Sequence, residues 1–185
     1  MAVDRVERLL RSMCGALNDA NITYAVIGGN AVAAWVSMVD ESAARTTKDV
    51  DVLLCRSDLS RTAEALRACG LVLAETMGVQ MFLDETNPNP KTGVQVVFAA
   101  EKVREHYAHA APHPSQAVET PDGLRIIEVA ALVAMKLQAH RFIDRAHVQD
   151  LISVGLVDDD VRSALPDDLH ERLRAIESES DEDMR

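Results

Sequence analysis

Three features of the 185-residue sequence predict an α/β (α+β) fold, a small mixed β-sheet flanked by helices with a helical C-terminal part. Short apolar runs with strand character, Tyr24–Ile27, Val50–Leu54 and Val94–Phe98, alternate with segments whose apolar residues recur at helical spacing. A glycine pair, Gly28 and Gly29, stands where the first of these runs passes into an alanine-rich stretch. From about Glu128 onward the pattern is helical.

Composition sets the bounds. Hydrophobic residues make up 48% of the chain, which is enough to bury a core and excludes wholesale disorder. The formal net charge of −11 argues against extensive nucleic-acid binding, and 3% aromatic residues leave few platforms for stacking bases. The 3 cysteines, Cys14, Cys55 and Cys69, are odd in number and lack C-x-x-C spacing, so they read as small core residues of a reducing compartment. No apolar run has the length of a membrane span and the first residues lack a signal-peptide pattern, so a cytoplasmic location is expected.

In chain order, Val6, Leu9, Leu10, Met13 and Leu17 place a helix over residues 3–20, with Asn21 stopping it before the first strand. The helix after Gly29 should run to about Val39, followed by a loop into the strand that holds Asp49 and Asp51. Ser57 or Asp58 can cap the next helix, which Gly70 closes. Two antiparallel strands follow, over residues 71–74 and 80–84, then a loop rich in proline and asparagine, then the strand of Val94 to Phe98. Residues 101–111 suggest a short helix, and residues 117–127 two extended pieces around Pro121-Asp122-Gly123. His106, His109 and His113 fit exposed histidines near a helix end better than a zinc site, because prolines interrupt the spacing. A helix apolar on most sides should run from Glu128 to about Phe142, and Gly155 ends the helical stretch after it. Short helices then start at Asp158 and near Pro166. We expect an α/β core over residues 1–127, a helical extension over 128–176 and an acidic tail without regular structure over 177–185.

Two pieces carry chemistry. In the stretch Arg45-Thr46-Thr47-Lys48-Asp49-Val50-Asp51, strand alternation aims Asp49 and Asp51 the same way, roughly 7 Å apart at the backbone. Paired carboxylates repel and raise each other's pKa unless a cation sits between them, and magnesium is a hard cation that takes carboxylates together with waters and phosphates. Upstream, Gly28, Gly29 and Asn30 open a helix, where backbone N–H groups and the dipole favour phosphate.

The glycine pair followed by R-x-T-x-D-x-D resembles the nucleotidyltransferase superfamily, of the minimal DNA polymerase β-like type. Within it the sequence is most similar to nucleotidyltransferase-like proteins of bacterial toxin–antitoxin and abortive-infection systems. The similarity spans roughly residues 20 to 155. It implies an NTP substrate with Mg²⁺ or Mn²⁺ held by Asp49 and Asp51, and phosphates bound by Gly28, Gly29, Asn30, Arg45 and Thr47. The implied reaction moves a nucleoside monophosphate onto a hydroxyl acceptor. Lys136 matches a lysine that relatives set against the triphosphate. It sits in the most apolar helix of the chain, where an ammonium is either paired, by phosphate or by Asp49 and Asp51, or snorkels to the surface.

The pattern is eroded in two places. Relatives carry a third carboxylate on the strand of Val94 to Phe98, and the matching residue is Gln95, an amide that can coordinate but cannot act as a base. Asp84, Glu85 or Glu101 could substitute from a neighbouring element. Further on, where toxin-like relatives show R-x-K-D-x-x-D, this chain has Arg141, Ile143, Asp144 and His147, with Asp150 a further acid for Lys136. The alternative is therefore a degenerate nucleotide- or partner-binding module. A third possibility is half of a two-protein pair, with the acidic surface meeting a basic protein partner.

Overall fold

The computed structural model describes residues 2–45, 47 and 49–183. Seven strands form one mixed sheet in the order β3-β4-β5-β2-β1-β7-β6. They are β1 (Tyr24–Ile27), β2 (Val50–Leu54), β3 (Leu71–Thr76), β4 (Val79–Asp84), β5 (Val94–Phe98), β6 (Ala117–Glu119) and β7 (Arg125–Ile127). Strand β2 lies at the centre, antiparallel to β1 and parallel to β5. Both faces of a central strand must be covered, which accounts for its nearly unbroken apolar sequence.

Helices α1 (Ala2–Asp19) and α3 (Leu59–Arg67) pack together, with Arg61 donating to the carbonyl of Ala20. Asn21 ends α1 in the left-handed region at φ 51°. Helix α2 (Gly28–Val39) starts directly on β1 and packs on α4 (Val129–Ala139) and α5 (Phe142–Ser153). The Trp35 indole N–H donates to the carbonyl of Ile127 at 2.9 Å, which pins α2 to β7. The chain closes with α6 (Asp159–Ala164) and α7 (His170–Asp183).

The mixed sheet with flanking helices is the architecture the sequence predicts, and four local expectations need correction. Residues 101–111 form turns and bends rather than a helix; Glu101 is spent on a two-pronged pair with Arg56, whose guanidinium also lies 3.7 Å over the Phe98 ring. Asp58 stands at the α3 N-cap without capping it, and its carboxylate accepts from Arg61 instead. The helix from 128 does not reach Phe142. It breaks at His140, left-handed at φ 50°, and α5 begins anew because the Asp144 carboxylate accepts from the backbone N–H of Arg141. Finally, α7 continues to Asp183 through most of the stretch expected to lack regular structure; Glu177 accepts from Arg162 and Glu179 from Arg145, so cations on α6 and α5 hold its acidic face. Met184 and Arg185 of that stretch lie outside the described residues.

Candidate functional site

Sheet register places the key side chains before any site is invoked. Residues directly paired across strands point to the same face. Asp51 pairs with Ile27 on one side and with Gln95 on the other, and Gln95 pairs in turn with Met81. A row Ile27–Asp51–Gln95–Met81 therefore crosses the centre of the sheet, and α4 and α5 stand over it. Between them lies a cleft of about 660 Å³, lined among others by Gly28, Gly29, Thr47, Asp49, Asp51, Gln95, Lys136, Arg141, Asp144 and His147.

The turn from β1 into α2 is shaped around Asp51. Gly28 has φ 70°, and a Cβ there would stand 2.1 Å from Asp51 Oδ2. A Cβ at Gly29 would meet Thr47 Oγ1 at 2.9 Å and the His147 ring at 3.4 Å. Gly28 is thus required by contact as well as by conformation, and Gly29 by contact alone. Asp49 just precedes β2 and is exposed, and its backbone carbonyl accepts from the Asn30 amide at 2.6 Å. That bond ties the first turn of α2 to the segment carrying both acids.

The electrostatics of the cleft are set by burial and by opposed charges. Burial pushes the Asp51 carboxyl up to about 6, against the pull of Lys136 and with a push from Asp49. Opposite it, Lys136 is buried and donates to Asp144 Oδ1 at 3.1 Å, while Arg141 Nε donates to Asp144 Oδ2 at 2.7 Å. Burial alone would raise the Asp144 carboxyl, but the two cations outweigh it and hold it below the usual range. His147 is buried in the same wall; burial first and Lys136 second push its imidazole down to about 4, so it is neutral at pH 7. Its Nδ1 is buried without a hydrogen-bond partner among the described residues.

The cleft thus brings together Gly28, Gly29, Thr47, Asp49, Asp51, Gln95 and Lys136. Two expected phosphate ligands stand elsewhere. Arg45 does not line the cleft; it donates to Asp150 at 3.0 Å, so Asp150 is not the partner of Lys136. Asn30 supports Asp49 from behind rather than lining the cleft. None of the proposed stand-ins for a third acid reaches the cleft: Asp84 accepts from Thr86 and Asn87, Glu101 is taken by Arg56, and Glu85 is not in the lining. Among the described residues no group of three or more His, Cys, Asp or Glu side chains could hold a metal; His109 pairs with Asp168 and His113 with Ser115. The sequence offers phosphates, Asp49 and Asp51 or Asp150 as partners of Lys136, whereas the structure pairs it with Asp144, whose place three residues after Arg141 is the spacing of an N-terminal cap.

No family model matches the chain, and no curated protein matches it. Solved structures do match. The antibiotic-resistance factor ANT(2'')-Ia, in complex with adenylyl-2''-tobramycin, has a TM-score of 0.55 at 12% identity, covering 94% of this chain and 97% of that one. A nucleotidyltransferase-like protein from Paracoccidioides brasiliensis gives 0.52 at 15% identity, covering 95% and 94%. The Megavirus polyadenylate synthase gives 0.54 at 12% identity, over 82% of this chain and 32% of the larger one. At these identities the likeness is one of fold, and the fold is that of nucleotidyltransferases. No helix among the described residues is long and apolar enough to cross a membrane.

Proposed function

We propose that the cleft binds a nucleoside triphosphate and transfers its nucleoside monophosphate to an acceptor oxygen. The observation that carries this reading is the contact of the Asp51 carboxylate with Gly28 at the start of α2, with Asp49 and Lys136 lining the same cleft. Free N–H groups at a helix start and a buried ammonium favour polyphosphate, and paired carboxylates favour the cation that accompanies it.

The donor set fits one divalent ion, Mg²⁺ or Mn²⁺. Two carboxylates, one of them kept from ionising easily by burial, match an ion that takes its other ligands from phosphate and water. Asp49 and Asp51 would hold it, and it would supply charge neutralisation at the α-phosphorus. The remaining work belongs to the chain. Gly28 and Gly29 admit the phosphates close to the backbone, and Thr47 presents a hydroxyl beside them. Lys136, held in place by Asp144, which Arg141 clamps in turn, offsets the charge that develops on the leaving pyrophosphate.

Gln95 favours a second reading, nucleotide binding without transfer, because it stands beside Asp51 where a carboxylate would complete an acidic triad. One experiment separates the two. Purified protein is incubated with α-labelled NTPs, Mg²⁺ or Mn²⁺ and cell extract, beside an Asp49→Ala/Asp51→Ala variant. Label transfer that the variant loses supports the enzyme, and NTP binding without transfer supports the binding module.

A further inference from the structure

Resting on the transfer reading, we propose that the acceptor is a phosphomonoester, whose attacking oxygen is already ionised, rather than an alcohol. Three observations lead there. First, every acid lining the cleft has a task that excludes proton abstraction: Asp144 is clamped by Lys136 and Arg141, and Asp49 and Asp51 would hold the cation, with Asp51 set against Gly28. The place beside Asp51 where a base could stand holds the amide of Gln95, which takes no proton at neutral pH. Second, His147 is no substitute, since its ring lies against Gly29, at the end of the cleft where the phosphates would sit.

Third, the lining carries an unpaired guanidinium. Arg104 lines the cleft, is exposed, and has no hydrogen bond or ion pair to its side chain among the described residues. Tyr107 stands beside it in the same wall. An unpaired guanidinium fork matches two oxygens of a phosphate while the third remains to attack. A carboxylate has no third oxygen, and a cationic acceptor would be repelled.

The step balances without a base. A terminal oxygen of the phosphomonoester forms a bond to the α-phosphorus, and the bond from that phosphorus to the α,β-bridging oxygen breaks. Its electron pair leaves with pyrophosphate. The product is a phosphoanhydride, no proton is removed and nothing is oxidised or reduced.

The test uses the full chain with α-labelled NTP, Mn²⁺ and matched probes, ribose 5-phosphate against ribose and glycerol 3-phosphate against glycerol. Transfer to the phosphorylated member of each pair should be at least about tenfold faster. Arg104→Ala should raise the KM for that member about tenfold while NTP affinity, read by calorimetry, stays within about twofold. Gln95→Glu should open transfer to ribose and glycerol. Equal or faster transfer to the alcohols by the unaltered protein overturns the proposal, as does an Arg104→Ala variant with unchanged KM. Where NTP binds and no probe is labelled, the transfer reading fails. Calorimetry on the NTP-loaded protein then judges the pocket separately: Arg104-dependent binding of ribose 5-phosphate upholds an oxyanion site, and binding no tighter than that of ribose removes it.

Discussion

Gly28 and Asp51 share a volume that any other pairing would overfill, since a Cβ on residue 28 would lie 2.1 Å from the carboxylate oxygen. Gly28→Ala must therefore displace Asp51 as well as strain a backbone at φ 70°. We expect a loss of about 1–3 kcal/mol in stability together with loss of Mn²⁺ binding. Urea unfolding and Mn²⁺ titration check the two parts. A destabilised variant that still bound Mn²⁺ at the original affinity would detach Asp51 from the cation.

Asp51 itself should weaken the fold that it serves. Its carboxyl in the folded protein, at about 6, lies above the ordinary 3.8, so it favours the fold at low pH and this contribution is lost as the pH rises through 6. Asp51→Asn should thus be more stable than the unaltered protein by about 1–3 kcal/mol near pH 8, with the gain fading toward about pH 4. Mn²⁺ binding, which needs the ionised carboxylate, should weaken about tenfold per pH unit below about pH 6 in the unaltered protein. Thermal melts across pH and Mn²⁺ titrations decide both points; a gain that persists unchanged at acid pH would rule out the titration of Asp51 as its source.

Asp144 and Asp150 differ in what they hold. Asp144 satisfies a buried ammonium, a guanidinium and a backbone N–H at once, whereas Asp150 meets the exposed Arg45. Asp144→Ala leaves Lys136 buried and unpaired and should cost about 3–5 kcal/mol. Asp150→Ala should cost about 1 kcal/mol or less. Equal losses on chemical denaturation would show that the buried pair is not what fixes the turn between α4 and α5.

The elements were largely legible because period and punctuation agree in this chain. The alternating Val50–Leu54 run and the Gly28-Gly29 break specify a strand and a strand-to-helix turn locally, and the row of Asp51 and Gln95 follows once β2 and β5 pair. What could not be read was partner choice. The register that puts Arg45 on Asp150 and Lys136 on Asp144 depends on the left-handed residue at His140, and histidine carries no strong sequence signal for that conformation. A helix drawn straight through residues 128–151 moves every later side chain to a different face. Likewise Glu101 is drawn to Arg56 just beyond the ends of β5 and β2, an interaction 45 residues away in sequence that no local pattern announces.

His147 offers the last prediction. The imidazole faces Lys136, Asp144, Arg141 and Arg45, and burial followed by Lys136 pushes it down to about 4 from an ordinary 6.5. Its contribution to stability is therefore complete above about pH 6.5 and is lost as the pH falls toward 4. A polyphosphate at the start of α2 reverses that balance, because its negative charge beside the ring favours the protonated form and supplies the acceptor that Nδ1 lacks. Binding should then draw in up to about one proton near pH 5–6 and none near pH 8. The measurement is calorimetry of tripolyphosphate binding in two buffers of different ionisation enthalpy, without divalent ions. It is made in the Asp51→Asn background, so that the other group titrating in this range is silent. His147→Asn in that background should abolish the proton uptake and remove the rise in affinity toward low pH. Uptake that survives the substitution would place the proton on the phosphate rather than on the ring.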